Sequence, residues 1–275
     1  MKKIGILFSL YLCMAATAVA QESEPEKRSY LPVAGDYSLG VDATPFLTYA
    51  GALLSNGGAT APTFGLKDQG FYGKYFLKDN RAIRAKLKLN AYRESFKESV
   101  RNDEVFASNP SATVVDNMKN VRTDVELYLG YELRRGHGRV QGFWGGELGF
   151  GLGRGKTAYE YGNPMTVANP TPSSASFAGA QNGRSIKNKR GMDFRFSLGA
   201  FVGVEYFVAS HLSLGGELNL ALAASTHGQD ELTRQRVENG AVNEFTVRSR
   251  NVGDLASSFG VKTLVGGNIF MLFYF

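Results

Sequence analysis

From Ile83 to Tyr92 the chain alternates without a break: Ile83, Ala85, Leu87, Leu89 and Ala91 are apolar, while Arg84, Lys86, Lys88, Asn90 and Tyr92 between them are polar. A period of two belongs to a β-strand, whose side chains point to opposite faces in turn, and not to a helix. The same alternation returns at about 36–49, 70–77, 120–134, 139–153, 193–208, 212–223 and 257–275, which predicts eight strands. In the last of them Ile269, Met271, Phe273 and Phe275 form one apolar face, and a soluble protein rarely leaves such a face bare at its terminus. After the first 20 residues no apolar run reaches the 18 or so needed for a helical membrane span. A strand that is apolar outside and charged inside can cross a bilayer only in a closed barrel, because closure pairs every backbone N–H and C=O without water. The fold class expected is therefore all-β: a transmembrane antiparallel up-and-down barrel of eight strands. Two of its longer loops have room for one more hairpin, which would make ten.

The connections sort by length. Three are tight and rich in turn formers, Lys78 to Arg81, Arg135 to Gly138 and Ala209 to His211. Four are long, at about 50–69, 95–119, 154–192 and 224–256, and short and long alternate along the chain. That asymmetry is the one of bacterial barrels, with short periplasmic turns, long extracellular loops and both termini on the periplasmic side. Inside the last long loop, Asn239-Gly240 lies between two strand-like runs and predicts a type I′ hairpin projecting beyond the bilayer.

The N-terminus reads as an export signal. Lys2 and Lys3 precede an apolar run from Ile4 to about Ala16, and Ala18-Val19-Ala20 supplies the small residues of a cleavage site. Residues 1–20 are expected to be removed, 21–35 to form a short periplasmic segment and 36–275 to form the barrel. Cys13, the only cysteine, leaves with the signal, so the mature chain has neither disulfides nor thiol chemistry. Loss of Lys2 and Lys3 lowers the net charge from +6 to +4, over 255 residues after 20 of the 275 are removed, too small an excess to argue for nucleic acid. Glycine is abundant, 33 residues or about 12% against an average near 7%, as suits a narrow barrel whose large inward side chains need space beside them.

Outward aromatics fall at two levels. Tyr37, Tyr75, Tyr131, Tyr206 and Phe273 lie near the periplasmic strand ends, and Tyr49, Phe71, Phe150, Phe194 and Phe259 near the opposite ends, as expected of girdles at two lipid–water boundaries. With Gly203-Val204-Glu205-Tyr206-Phe207, the turn through Ser210-His211, Leu212 to Leu218 and the terminal Phe275, this texture resembles small outer-membrane barrels of the OmpA/OmpX type and is similar to Bacteroidetes outer-membrane β-barrel (porin-like) proteins. The resemblance spans nearly all of the mature chain but is one of pattern. It implies a Gram-negative cell envelope, outer-membrane lipid and lipopolysaccharide as surroundings, a monomer, and recognition of Ile269, Met271, Phe273 and Phe275 by the barrel-assembly machinery. Unlike full-length OmpA, the chain ends at the barrel, with no peptidoglycan-binding domain expected.

The inward register carries acids Asp42, Asp124, Glu126, Glu132, Glu147, Asp193, Glu205 and Glu217, and bases Lys74, Arg84, Lys86, Lys88, Arg122, Arg195 and Lys262. An eight-stranded barrel is just wide enough to be filled by its own side chains, and charges buried there must pair. A plugged interior with a structural or surface-interaction role is the first expectation. A narrow porin-like channel for small solutes, with Arg84, Lys86 and Lys88 as a cationic track, is the alternative.

A search for catalytic, metal or cofactor groups finds little. His137 and His211 sit in turns, and only His227, near Ser225 and Asp230, lies at the outer rim where a lipid A-modifying enzyme would need it. Gly151 to Thr157 misses a phosphate-binding loop because Phe150 stands at its first glycine, and Arg154 breaks dinucleotide spacing in the run from Gly145 to Gly155. No catalytic residue, cofactor or metal is assigned. The third loop carries Arg154, Lys156, Arg184, Lys187, Lys189 and Arg190 against Glu160. Of these Arg184, Lys187, Lys189 and Arg190 are candidates for lipopolysaccharide phosphates. The middle of the loop, Asn169 to Ser174, reads as flexible and exposed.

Overall fold

The computed structural model describes residues 31–44, 46, 47, 49, 52, 69–174, 177, 183–248 and 260–275, without the side chains of His137 and of 260–265. The expected signal at 1–20, most of the segment at 21–35, and Phe259 lie outside the described residues. Among the described residues ten strands follow in order: β1 (Tyr37–Asp42), β2 (Gln69–Lys78), β3 (Arg81–Arg101), β4 (Thr113–His137), β5 (Val140–Glu160), β6 (Arg184–Ala209), β7 (Leu212–His227), β8 (Glu231–Glu238), β9 (Ala241–Arg248) and β10 (Gly260–Tyr274). All their pairings are antiparallel. The neighbours run β5-β4-β3-β2-β1-β10-β7-β6, and pairing of β5 with β6 closes these eight into a ring. The first and last strands meet in register, Ser38 opposite Tyr274 and Asp42 opposite Phe270. β8 and β9 form the additional hairpin: β8 pairs with the outer part of β6, and the ring keeps eight strands.

The three tight connections stand where their turn formers lie, at Asp79-Asn80, Gly138-Arg139 and Ser210-His211. In the β8–β9 turn, Asn239 and Gly240 have φ of 54° and 72°, the two left-handed residues that a type I′ turn requires.

Two expectations need correction. The first strand does not run over 36–49: it ends at Asp42, and the backbone is helical at Thr44, Phe46 and Leu47. Asp42 Oδ1 accepts the Thr44 N–H at 2.8 Å, and the N–H groups of Phe46 and Leu47 both bond Ala43 O. In the sequence, a proline three residues after Asp42 is the signal for a helix start. Tyr49 is therefore helical and belongs to no strand-borne girdle.

The loops at 95–119 and 154–192 are also shorter than expected. β3 and β4 stay paired out to Arg101 and Thr113, while β5 runs to Glu160 and β6 starts at Arg184. Beyond the apolar zone both faces of these strands are polar, as in Glu94, Ser95, Lys97, Glu98 and Ser99, so alternation vanishes although the ladder continues.

The outward face is a continuous apolar belt. Val125, Leu127 and Leu129 on β4, Leu148, Phe150 and Leu152 on β5, Phe194, Phe196, Leu198, Val202 and Val204 on β6, and Leu218, Leu220 and Leu222 on β7 are all exposed, Leu218 at 65%. Tyr75, Tyr131, Tyr206 and Phe273 are exposed towards the turn end, and Phe71, Phe150 and Phe194 towards the loop end. Tyr37 stacks on Phe275 at 5.4 Å.

The hydrophobic core lies inside the ring at the turn end. Tyr72, Phe76, Ala82, Phe143, Phe201, Phe207, Phe270, Leu272 and Tyr274 form one buried cluster, with Leu31 packed against it. Phe270, Leu272 and Tyr274 are the inward alternates of the strand whose outward residues are Ile269, Met271, Phe273 and Phe275.

Candidate functional site

Immediately above this aromatic floor, four cations and four carboxylates occupy the interior, and all eight are buried: Lys74, Arg84, Lys86 and Arg134 with Glu132, Glu147, Glu205 and Glu217. Lys74 Nζ is 3.0 Å from Glu132 and 3.1 Å from Glu205. Arg84 lies 2.7 Å from Glu217 and within 3.7 Å of Glu132 and Glu147. Lys86 is 3.0 Å from Glu147 and 3.4 Å from Glu217, and Arg134 is 2.7 Å from Glu205. Ser213 and Tyr274 donate to the remaining oxygen of Glu205, and Asn268 donates to Glu217 at 3.3 Å.

Each buried cation also lies near an aromatic face. Arg84 sits 3.9 Å from the centroid of Phe201, Lys74 4.6 Å from Phe143, Lys86 4.7 Å from Tyr128 and Arg134 5.2 Å from Phe76. Positive charge over the negative face of a ring is favourable, the more so away from water. The strands that supply most of the cations, β2 and β3, stand across the ring from β5, β6 and β7, so equal and opposite charge meets at the centre.

Arg134 is a member that sequence reading misses. It lies at the turn end of its strand but has the same inward parity as Glu132, and that parity is the signal that could have found it. The glycines of β5 do steric work, not phosphate binding. A Cβ at Gly149 would lie 2.2 Å from Ser197 Oγ and 2.7 Å from the Tyr128 ring, so the strip of inward glycines makes space for bulk from neighbouring strands.

Above the ionic layer the interior opens. A cavity of about 460 Å³ is lined by Asp42, Gly70, Tyr72, Lys88, Leu89, Asn90, Arg122, Asp124, Glu126, Arg195 and Asn268. Arg122 pairs with Asp124 at 2.7 Å, Arg195 pairs with Glu126, and Tyr128 donates to Glu126 at 2.7 Å. Of the sequence-assigned interior charges, the side chain of Lys262 lies outside the described residues.

Asp193 stands at the loop end, bound by Arg190 at 3.2 Å and by Nδ1 of His227. Nε2 of His227 is 2.8 Å from Asp230, which also accepts the Gly191 N–H. The hydrogen bond to Asp193, reinforced by Asp230, raises the His227 pKa above its ordinary 6.5. Both ring nitrogens face carboxylates, so neither is directed at Ser225 as a base.

The four candidates for lipopolysaccharide contact stand on β6 and not in a loop, and they separate there. Arg184 is buried, donates to Asn163 O at 2.8 Å and Gln235 Oε1 at 3.1 Å, and stacks 4.4 Å from the Tyr161 centroid. Burial lowers its pKa and pushes that of Tyr161 up to about 12. Arg184 is thus a structural residue. Lys189 pairs with Glu231 at 2.9 Å and Arg190 with Asp193, while Lys187 is half-buried.

The segment from Asn169 to Ser174 is not loose either. Asp103 Oδ2 accepts the Ser173 N–H at 2.7 Å and Asn169 Nδ2 at 3.0 Å. Asn163, only 1% exposed, bonds Asp103, Arg101, Ser173 and Ser174, which ties the β3–β4 loop to the β5–β6 connection. Proline and serine content suggests freedom, but the hydrogen-bond partners come from a loop some 60 residues away in sequence. Among the described residues no three His, Cys, Asp or Glu side chains come together as metal ligands.

No family model matches the chain, and no curated protein matches it. Among solved structures, a major outer membrane protein from Thermus thermophilus aligns with a TM-score of 0.42 at 10% identity, over 88% of this chain and 100% of that one. A similarity at this level carries no functional argument.

Proposed function

We propose that this chain is an integral outer-membrane β-barrel protein, a monomer whose interior is sealed and whose outer hairpins present a surface in the cell envelope. The observation that carries the proposal is the inversion of the ring: large apolar side chains cover its outside, while four balanced pairs of buried charges and an aromatic floor fill its inside. An outer surface of this kind suits hydrocarbon, and closure leaves no strand edge for lipid to contact. The turn end is then periplasmic, and the terminal face of Ile269, Met271, Phe273 and Phe275 is what the assembly machinery would read. Lipid and lipopolysaccharide are its surroundings, with Lys187, Lys189 and Arg190 at the rim.

The channel reading requires an ion to pass Lys74, Arg134, Glu132 and Glu205 and then a floor in which Phe76, Phe143 and Phe207 have no exposed surface. Opening it would separate desolvated ion pairs, which is strongly unfavourable. Planar-bilayer recording of the refolded protein is expected to show no steady single-channel steps; reproducible steps would overturn the sealed interior. As to a lipid A-modifying enzyme, the histidine it would need as a base, His227, is engaged by carboxylates on both nitrogens.

A further inference from the structure

We propose that the cavity above the ionic layer is a binding site for a small hydroxylated carboxylate of the size of a sugar acid. The inference rests on the sealed interior, which makes the cavity a dead end on its floor side. Its volume of about 460 Å³ lies within the roughly 300–1,000 Å³ usual for small-molecule sites.

Three of its lining groups have hydrogen-bonding or charge capacity that no described residue meets. Tyr72 is 5% exposed, yet among the described residues its hydroxyl has no hydrogen-bond partner, and Asn90 Oδ1 is likewise buried without one. Lys88 is the third: among the described residues its ammonium has no carboxylate within 4 Å, the Tyr128 ring lies at 5.8 Å, and Glu147, Glu217 and Asp42 act on it only from further off. The nearby acids are engaged, Asp124 by Arg122 and Asn90 Nδ2, Glu126 by Arg195 and Tyr128, and one oxygen of Asp42 by the Thr44 N–H.

Unmet buried hydrogen-bonding capacity is costly, and in a cavity of this size a ligand can meet it. Lys88 calls for an anionic oxygen. Asn90 Oδ1 can only accept and so calls for a donor, while the Tyr72 hydroxyl can do either. A carboxylate that also bears hydroxyls supplies all three; a neutral sugar lacks the charge and a simple carboxylate lacks the donors. The approach has the right sign. A second cavity, of about 500 Å³, lies towards the rim, shares Arg122 and is lined by Lys156, Arg190 and His227, with Asp230 as its carboxylate. Arg122, Arg190 and His227 are each held by carboxylates, so Lys156 supplies the excess positive charge towards small anions.

Calorimetric titration of the detergent-solubilised full chain with D-galacturonate, D-galactose and acetate tests the assignment. Galacturonate is expected to bind saturably at one site, with galactose weaker by about tenfold or more through loss of one charge-assisted hydrogen bond, and acetate weaker by about tenfold through loss of its hydroxyl donors. Lys88→Met is expected to weaken galacturonate binding by about the same factor. Tyr72→Phe removes a hydroxyl with no partner among the described residues, so it is expected to leave the unfolding midpoint unchanged or raised while weakening binding several-fold. Absence of saturable galacturonate binding, or unchanged affinity in both variants, overturns the site. Binding together with steady conductance would support the site while overturning the sealed interior, so the two failures are distinguishable.

Discussion

Glu205 receives hydrogen bonds from Lys74 on β2, Arg134 on β4, Ser213 on β7 and Tyr274 on β10, so one fully buried carboxylate joins five strands. Its parity and its neighbours Val204 and Tyr206 make the inward position legible in the sequence. Apart from Ser213 across the β6–β7 hairpin, the partners are not, because they lie up to 131 residues away and only the ring brings them together. Replacing Glu205 by leucine leaves Lys74 and Arg134 sharing Glu132 alone, and breaking a buried pair from one side costs about 3–5 kcal/mol. The guanidinium midpoint of the refolded Glu205→Leu protein is expected to fall accordingly, and that of Glu205→Gln by less; equal midpoints for wild type and Glu205→Leu would show that the pairing at Glu205 contributes no net stability. Arg184 teaches the opposite lesson. A cation in a basic stretch looks available for an external phosphate until Asn163, Gln235 and Tyr161 enclose it.

Among elements, the β8–β9 hairpin was the most legible beyond the ring, because Asn-Gly is a local signal that needs no tertiary support. The end of β1 was legible in principle from Asp42 and Pro45. Alternation through Val41 outweighed it. Less visible was how β6 changes partner: it pairs with β7 up to Asp193 opposite His227, and with β8 from Lys189 opposite Glu231. The irregular residues between are pinned by His227, Asp193, Asp230 and the Gly191 N–H, with Arg190 on Asp193 and Lys189 on Glu231 alongside. Because the folded state raises the His227 pKa, its clamp is fully present below the ordinary value of 6.5 and is lost as pH rises through the raised one. Amide exchange over Glu231–Glu238, corrected for the intrinsic rate, is expected to accelerate across that rise in the wild type but not in His227→Asn. A β8 that becomes better protected with rising pH would reverse the sign and exclude the clamp.

The whole molecule offers a direct test of which solvent the belt meets. Trp144 is the only tryptophan in the chain, and it stands on the outward face of β5, 43% exposed. In vesicles of phosphatidylcholine brominated on the acyl chains its fluorescence is expected to be strongly quenched; emission equal to that in unbrominated vesicles would place the belt outside the hydrocarbon. By itself the sequence determined strand number in the ring, the inward and outward faces, the tight turns and the projecting hairpin, because a two-residue period and turn chemistry are local properties of the chain. Only the tertiary structure decided which charges pair, that Arg134 joins them, that the third connection is tied to the second, and that Lys88, Tyr72 and Asn90 are left facing a cavity. Those outcomes depend on distances across a closed ring, and parity along a strand does not encode what stands opposite.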